Sequence, residues 1–191
     1  MEPFWNKMAS YLPMKFTPNM VSLTGSLFYV SAYLLIAYYD LSLAKPIPSY
    51  VYFYSSLMLF LYQTFDAIDG KHARSTNRTS AVGTFVDHGL DTLVNFIYPV
   101  TIAQSHLLGN SFIVLVFQIS LQMGFYVYAM ENYITGTMRT GGGTFVQFVI
   151  MFLTSFPGIF GFSIIKFKLF GLSPVSFIIL LYVRFVTYSV A

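Results

Sequence analysis

The chain has 191 residues, of which 56% are hydrophobic, 19% aromatic and only 9% charged, with a formal net charge of +3 and no cysteine. A soluble domain carries about 25% charged residues, so this composition excludes a solvated surface and predicts an all-α integral membrane protein. It also excludes a disulfide framework and any Cys-based metal site or nucleophile, and no basic patch is dense enough for a nucleic-acid partner.

Along the chain, residues 3–15 alternate apolar and polar groups, with Phe4, Trp5, Met8, Tyr11 and Leu12 placed for one face and Lys7 and Lys15 within reach of anionic headgroups. This predicts a short amphipathic interfacial helix. Residues 1–19 lack the continuous apolar core and small-residue cleavage site expected of a signal peptide. About six apolar spans follow, each near the ~20 residues that cross a bilayer, at about 20–41, 49–69, 83–105, 111–134, 144–165 and 172–190. The links between them carry the breakers: Lys45-Pro46-Ile47-Pro48, the polar run Ser75 to Ser80, Leu108-Gly109-Asn110, Gly141-Gly142-Gly143, and Lys168 to Pro174. Residues 1–191 read as a single membrane domain with no internal repeat.

Orientation follows from counting positive charges. With the N-terminus in the cytosol, that side carries Lys7, Lys15, Lys71, Arg74, Arg78 and Arg139, with Arg184 near the final cytosolic end, against Lys45, Lys166 and Lys168 on the other. The multi-pass chain is therefore expected to expose the ends of its second and third spans to the cytosol.

Those ends carry the chemistry. Four of the seven acidic residues fall in one stretch, DAIDGKHARSTNRTSAVGTFVDHGLD. Asp66 and Asp69 are three apart and Asp87 and Asp91 four apart, so each pair shares a helix face. A bare carboxylate in a membrane costs roughly 2.5–3.5 kcal/mol or more, and four near one depth repel each other. A divalent cation removes that repulsion, and oxygen-only ligands suit Mg²⁺ or Mn²⁺. The alternative is a structural network in which Lys71, Arg74 or Arg78 pairs with the carboxylates.

The same stretch resembles the signature of the CDP-alcohol phosphotransferases, D-x-x-D-G-x-x-A-R-x8-G-x-x-x-D-x-x-x-D. Asp66, Asp69, Gly70, Ala73, Arg74, Gly83, Asp87 and Asp91 match every fixed position without a gap. The run Asp87-His88-Gly89-x-Asp91 is similar to the eukaryotic choline and ethanolamine phosphotransferases, which carry His at that place.

The resemblance implies that the four aspartates hold two Mg²⁺ or Mn²⁺ ions and that Arg74 lies beside the substrate diphosphate, where a planar guanidinium grips phosphate oxygens. Gly70, Gly83 and Ala73 leave room for the nucleotide and permit tight helix packing. It also implies that His88, with an ordinary pKa near 6.5, removes the proton from the hydroxyl of diacylglycerol, with Asp91 the rival base. Lys71, His72 and Arg78 read as solvated loop charges.

Two further segments carry likeness. Pro18-Asn19-x-x-Ser22-Leu23-x-Gly25 resembles the entry P-N-x-x-T-x-x-G to the first span, implying that Asn19 helps bind the nucleotide, although Asn19 could equally cap the helix. Tyr62, one turn before Asp66, matches a nucleotide-contacting position or else belongs to an aromatic belt. Glu131-Asn132-Tyr133-Ile134-Thr135-Gly136-Thr137 resembles an E-x-Y-x-T-G-T segment. Relatives continue with N-G-P-x-E-G and usually carry Glu where Thr84 stands; here the run Gly142 to Gln147 has no Glu. The eukaryotic members have about ten spans, so this chain reads as a shortened form, six being the core of the wider family.

The expected activity is transfer of phosphocholine or phosphoethanolamine from CDP-choline or CDP-ethanolamine to diacylglycerol, releasing CMP. Membrane lipids and a second copy of the chain, as a homodimer, are the expected partners, and the endoplasmic reticulum or Golgi the expected location. Two alternatives stand beside it: a phosphatidyltransferase that uses CDP-diacylglycerol, and an inactive relative with a structural or regulatory role.

Overall fold

Hydroxyl side chains and prolines set where the helices of this chain begin. The computed structural model describes residues 2–135, 142–162 and 173–190, which form helices α1 (Glu2–Ser10), α2 (Pro18–Tyr39), α3 (Ser49–Ser75), α4 (Ala81–Asn95), α5 (Ile97–Ser105), α6 (Phe112–Thr135), α7 (Gly142–Phe160) and α8 (Pro174–Val190). No strand occurs among the described residues, most of which are helical. Thr17 caps α2 by accepting from the Met20 N–H, and Ser80 caps α4 by accepting from the Gly83 N–H at 3.0 Å, each cap contributing about 1 kcal/mol. Pro18 and Pro174 open α2 and α8 at the first helical position, where no N–H is needed.

Among the described residues two helices, Pro18–Tyr39 and Phe112–Thr135, are long and apolar enough to cross a membrane. Of the remaining expected spans, that at 49–69 is the apolar part of α3, which runs six residues further and carries the charged end of the motif to Ser75 on one continuous helix. The expected links at Gly141 and at Lys168 to Leu172 lie outside the described residues, as do Gly136, Thr137, Arg139 and Lys166.

The expected span at 83–105 is two helices, and proline explains the break. Pro99 has no N–H for the carbonyl of Asn95, four residues earlier, and its ring crowds that carbonyl. α4 ends at Asn95, and its freed carbonyl accepts from Gln118 Nε2 on α6 at 3.5 Å. α7 meets the same difficulty at Pro157 without breaking: the carbonyl of Leu153, again four residues earlier, accepts from the buried His106 Nε2 at 3.1 Å. In both places a neighbouring side chain satisfies a backbone group that an apolar setting would otherwise leave unpaired.

α2 and α3 run antiparallel with close contact along their length. Gly25 makes this possible, since a Cβ there would fall 2.6 Å from Phe65 Cβ. The main core gathers Tyr29, Leu59, Tyr62, Val94, Tyr98 and Ile102 from four helices. Within it Tyr29 stacks on Tyr62 at 6.3 Å and tilts against Tyr98 at 5.5 Å. At the far end of α2 the buried Asp40 carboxylate accepts from the N–H groups of Ser42, Ala44 and Lys45 and from Ser42 Oγ, which orders the turn into α3.

The N-terminal helix spends most of its apolar face on the protein. Trp5 is buried against Val21 and Ile68, with Phe4, Met8 and Leu12 packed around them, while Tyr11 lies beyond the helix end and is 67% exposed. Three side chains expected to be solvated loop charges contact this segment, and of them only Arg78 is exposed in the loop after α3 as expected. Lys71 and His72 lie within α3, not in a loop. Lys71 pairs with Glu2 at 2.6 Å, a hydrogen bond and charge contact that lower the Glu2 carboxyl below its usual range. His72 is buried with Nε2 2.9 Å from the Phe16 carbonyl, and Arg78 donates to the Met14 carbonyl at 3.0 Å. The helical continuation past residue 69 is what brings Lys71 and His72 up against the leader.

Candidate metal centre

The carboxylates converge because two helix faces meet. One oxygen each from Asp66, Asp69 and Asp87 lie within 4.8 Å of one another, with Asp69 buried and the other two partly buried. The spacing within α3 puts Asp66 and Asp69 on one face, and α4 runs back past it to supply Asp87. Asp91, one turn further along α4, stands beside this trio. Tyr62 Oη donates to its Oδ1 at 2.5 Å, and its carboxyl meets that of Asp66. The structure thus brings three of the four expected ligands into one cluster and anchors the fourth on a buried tyrosine.

A third helix completes the wall. Ser22 on α2 donates from Oγ to Asp69 Oδ2 at 2.5 Å. Asn19, one turn earlier, reaches the start of α4, where a Cβ on Gly83 would meet Asn19 Oδ1 at 3.4 Å and Ser80 Oγ at 3.2 Å. Thr17, not Asn19, caps α2. Arg74 is exposed and folds back along α3, its guanidinium 3.4 Å from where a Cβ on Gly70 would lie, and its charge also acts on Glu2 of α1. Ala73 is buried on the same helix. His88 is partly buried next to Asp87, with its ring edge-on to Phe125 of α6 at 6.3 Å.

Sequence reasoning assigned no role to Ser22, Gly25 or Tyr128. The first two lie inside the Pro18–Gly25 segment that was singled out, so the signal for them was present. Tyr128, on α6 within electrostatic reach of Asp66, Asp91 and Glu131, has no local pattern to mark it. The run from Gly142 that lacks a Glu ends at Gln147, whose Nε2 donates to Tyr98 Oη at 3.0 Å.

The donor set fits a hard divalent cation. All three clustered ligands are carboxylate oxygens, and a Mg²⁺–oxygen bond of about 2.0–2.1 Å lets two ligands of one ion stand about 4.2 Å apart at most. A separation of up to 4.8 Å therefore needs only a small closing movement, and the absence of cysteine from the chain and of His from the cluster disfavours softer metals.

The family model for CDP-alcohol phosphatidyltransferase matches residues 15–188. Choline/ethanolaminephosphotransferase 1 of Arabidopsis thaliana is 37% identical over 138 residues, covering 72% of this chain and 35% of the plant protein. The Saccharomyces cerevisiae protein of the same name is 33% identical over 138 residues, again 72% of this chain and 35% of the relative. An uncharacterized CDP-alcohol phosphatidyltransferase class-I family protein 1 of Dictyostelium discoideum is 33% identical over 176 residues, covering 89% of this chain and 46% of its own length. The chain thus spans between about a third and a half of the length of these curated relatives. With a helical fold, a three-carboxylate cluster formed by the signature and a match over nearly its whole length, the chain belongs to the CDP-alcohol phosphatidyltransferase family.

Proposed function

We propose that this chain transfers phosphocholine or phosphoethanolamine from the CDP-alcohol to diacylglycerol and releases CMP. The observation that carries the reading is the convergence of Asp66, Asp69 and Asp87 beside an anchored Asp91, in a chain most of which resembles choline/ethanolaminephosphotransferases.

The aspartates would hold Mg²⁺ or Mn²⁺, two ions in the full set. Bound there, the metal offsets the diphosphate charge and steadies the departing CMP. Asn19, Gly83, Gly70, Ala73 and Arg74 line the nucleotide side, Arg74 as a planar donor for phosphate oxygens. Tyr62 contributes by fixing Asp91, in addition to any nucleotide contact. The diacylglycerol hydroxyl oxygen attacks the β-phosphorus, the bond from that phosphorus to the oxygen of CMP breaks, and the hydroxyl proton passes to His88. Asp91 is the weaker candidate for that base, since one of its oxygens is engaged by Tyr62 and the carboxyl also meets Asp66.

The topology belongs to the same proposal. Six spans, with α4 and α5 together making one, and a cytosolic N-terminus put the site where a water-soluble CDP-alcohol arrives. Endoplasmic reticulum or Golgi membrane is the proposed setting, with residues 1–191 acting as one domain and pairing as a homodimer.

The test is CMP release by purified protein offered CDP-choline or CDP-ethanolamine with diacylglycerol, and CDP-diacylglycerol with a water-soluble alcohol such as inositol, in turn. Turnover with either of the first two, abolished by EDTA and by Asp66→Ala or Asp87→Ala, is the expected result. Release of CMP from CDP-diacylglycerol alone moves the assignment to a phosphatidyltransferase. Activity that survives both EDTA and the substitutions overturns the metal site.

A further inference from the structure

The four carboxylates are not equivalent in what holds them. Asp69 is the least solvent-exposed of the clustered three, and its Oδ2 receives a hydroxyl from a different helix: Ser22 Oγ at 2.5 Å, across 47 residues of sequence. Ser22 itself is buried. Its hydroxyl has a single proton and two acceptors in range, the Pro18 carbonyl at 3.2 Å and the Asp69 carboxylate at 2.5 Å. The shorter, charge-assisted contact takes the proton when Asp69 is ionised.

We propose that Ser22 is a positioning residue for the metal site: its hydroxyl fixes one oxygen of Asp69, and with it the rotamer of the carboxylate, so that the other oxygen is presented to the ion. The proposal rests on the metal-binding reading above and adds a third helix to it. The register supports it. α2 and α3 are held at close approach one turn away, where Gly25 meets Phe65, so neither partner of the Ser22–Asp69 contact can drift without disturbing that packing. Partners of this kind typically change metal affinity about 10–100-fold when removed. By contrast, a buried serine that merely satisfies the helix backbone, as Ser26 does on the Ser22 carbonyl at 3.0 Å, affects no ligand.

The experiment measures Mn²⁺ binding to the full chain in detergent, with the metal alone and no nucleotide. Wild type, Ser22→Ala, Ser22→Thr and Ser22→Val are compared, with Asp69→Asn and the double variant Asp69→Asn/Ser22→Ala. Thr and Val have the same shape and differ by the hydroxyl, so the pair decides the matter even if Ser22→Ala folds poorly. The expected result is Mn²⁺ affinity about 10–100-fold weaker for Val and Ala, near wild type for Thr, and no further loss from Ser22→Ala once Asp69 is Asn. Equal affinity for Thr and Val, whether both normal or both weakened, overturns the proposal and leaves the metal site standing. Absence of Mn²⁺ binding in wild type overturns the metal reading itself, and the proposal with it.

Discussion

Gly25→Ala is the smallest change that should disturb the site without touching any residue in it. The added methyl would sit 2.6 Å from Phe65 Cβ, where ordinary contact begins at 3.4 Å, so α2 and α3 must separate locally by ~0.8 Å. The clashing atom on α3 is itself a Cβ, which no rotamer change can move. Overpacking of this kind costs typically about 1–3 kcal/mol. Ser22 lies one turn from Gly25 and Asp69 one turn from Phe65, so the same displacement stretches their 2.5 Å hydrogen bond to about 3.3 Å, near the limit of a useful contact. Gly25→Ala should therefore lower the thermal midpoint in detergent and weaken Mn²⁺ binding by up to about tenfold, a partial version of losing the hydroxyl outright. Gly25→Ser should behave alike. Wild-type stability together with wild-type Mn²⁺ affinity would refute the coupling of helix approach to ligand placement.

His88→Ala should reduce turnover by about 10²–10⁴-fold, the usual loss for a positioned base, while Mn²⁺ and CDP-choline still bind; near-normal turnover would pass the role to Asp91. Tyr62→Phe keeps the ring that stacks on Tyr29 but removes the donor to Asp91. Turnover should fall about tenfold or more, by analogy with other hydrogen bonds to ligand carboxylates, with the thermal midpoint little changed; undiminished turnover would show that Asp91 needs no anchor. A cysteine placed at Ser80, in a chain with none of its own, should react with an impermeant thiol reagent from the cytosolic side only, and labelling from the other side would reverse the topology.

How much of this was legible beforehand depends on the range of the interaction. Spacing within one helix showed Asp66 with Asp69 and Asp87 with Asp91, and the apolar runs located most of the helices. Helix ends were less legible, because proline acts on a carbonyl four residues away: the break at Asn95 is written at Pro99, and the same residue type at Pro157 is tolerated because His106 lies opposite Leu153. Charge was read too simply. Lys71 and His72 looked like solvated loop charges from composition alone, yet they lie within α3 and their partners, Glu2 and the Phe16 carbonyl, lie more than fifty residues earlier. No periodicity reports such a pairing.

The site shows the same division in a form that bears on chemistry. A signature confined to residues 66–91 describes two helices, and two helices can gather carboxylates but leave each free to rotate. What restricts them comes from outside the pair of faces that the spacing defines: Ser22 from α2 on Asp69, and Tyr62, a turn above the cluster on α3, on Asp91. The two donors act on different carboxylates from opposite ends of the cluster. Asp66 and Asp87 are left without a hydroxyl donor of this kind among the described hydrogen bonds, and they are the two partly buried members of the trio. On the proposed reading, an ion entering the cluster would meet one aspartate fixed by a hydroxyl from a neighbouring helix and two without such a donor, so the helix that the signature does not cover would decide how the first ligand is presented.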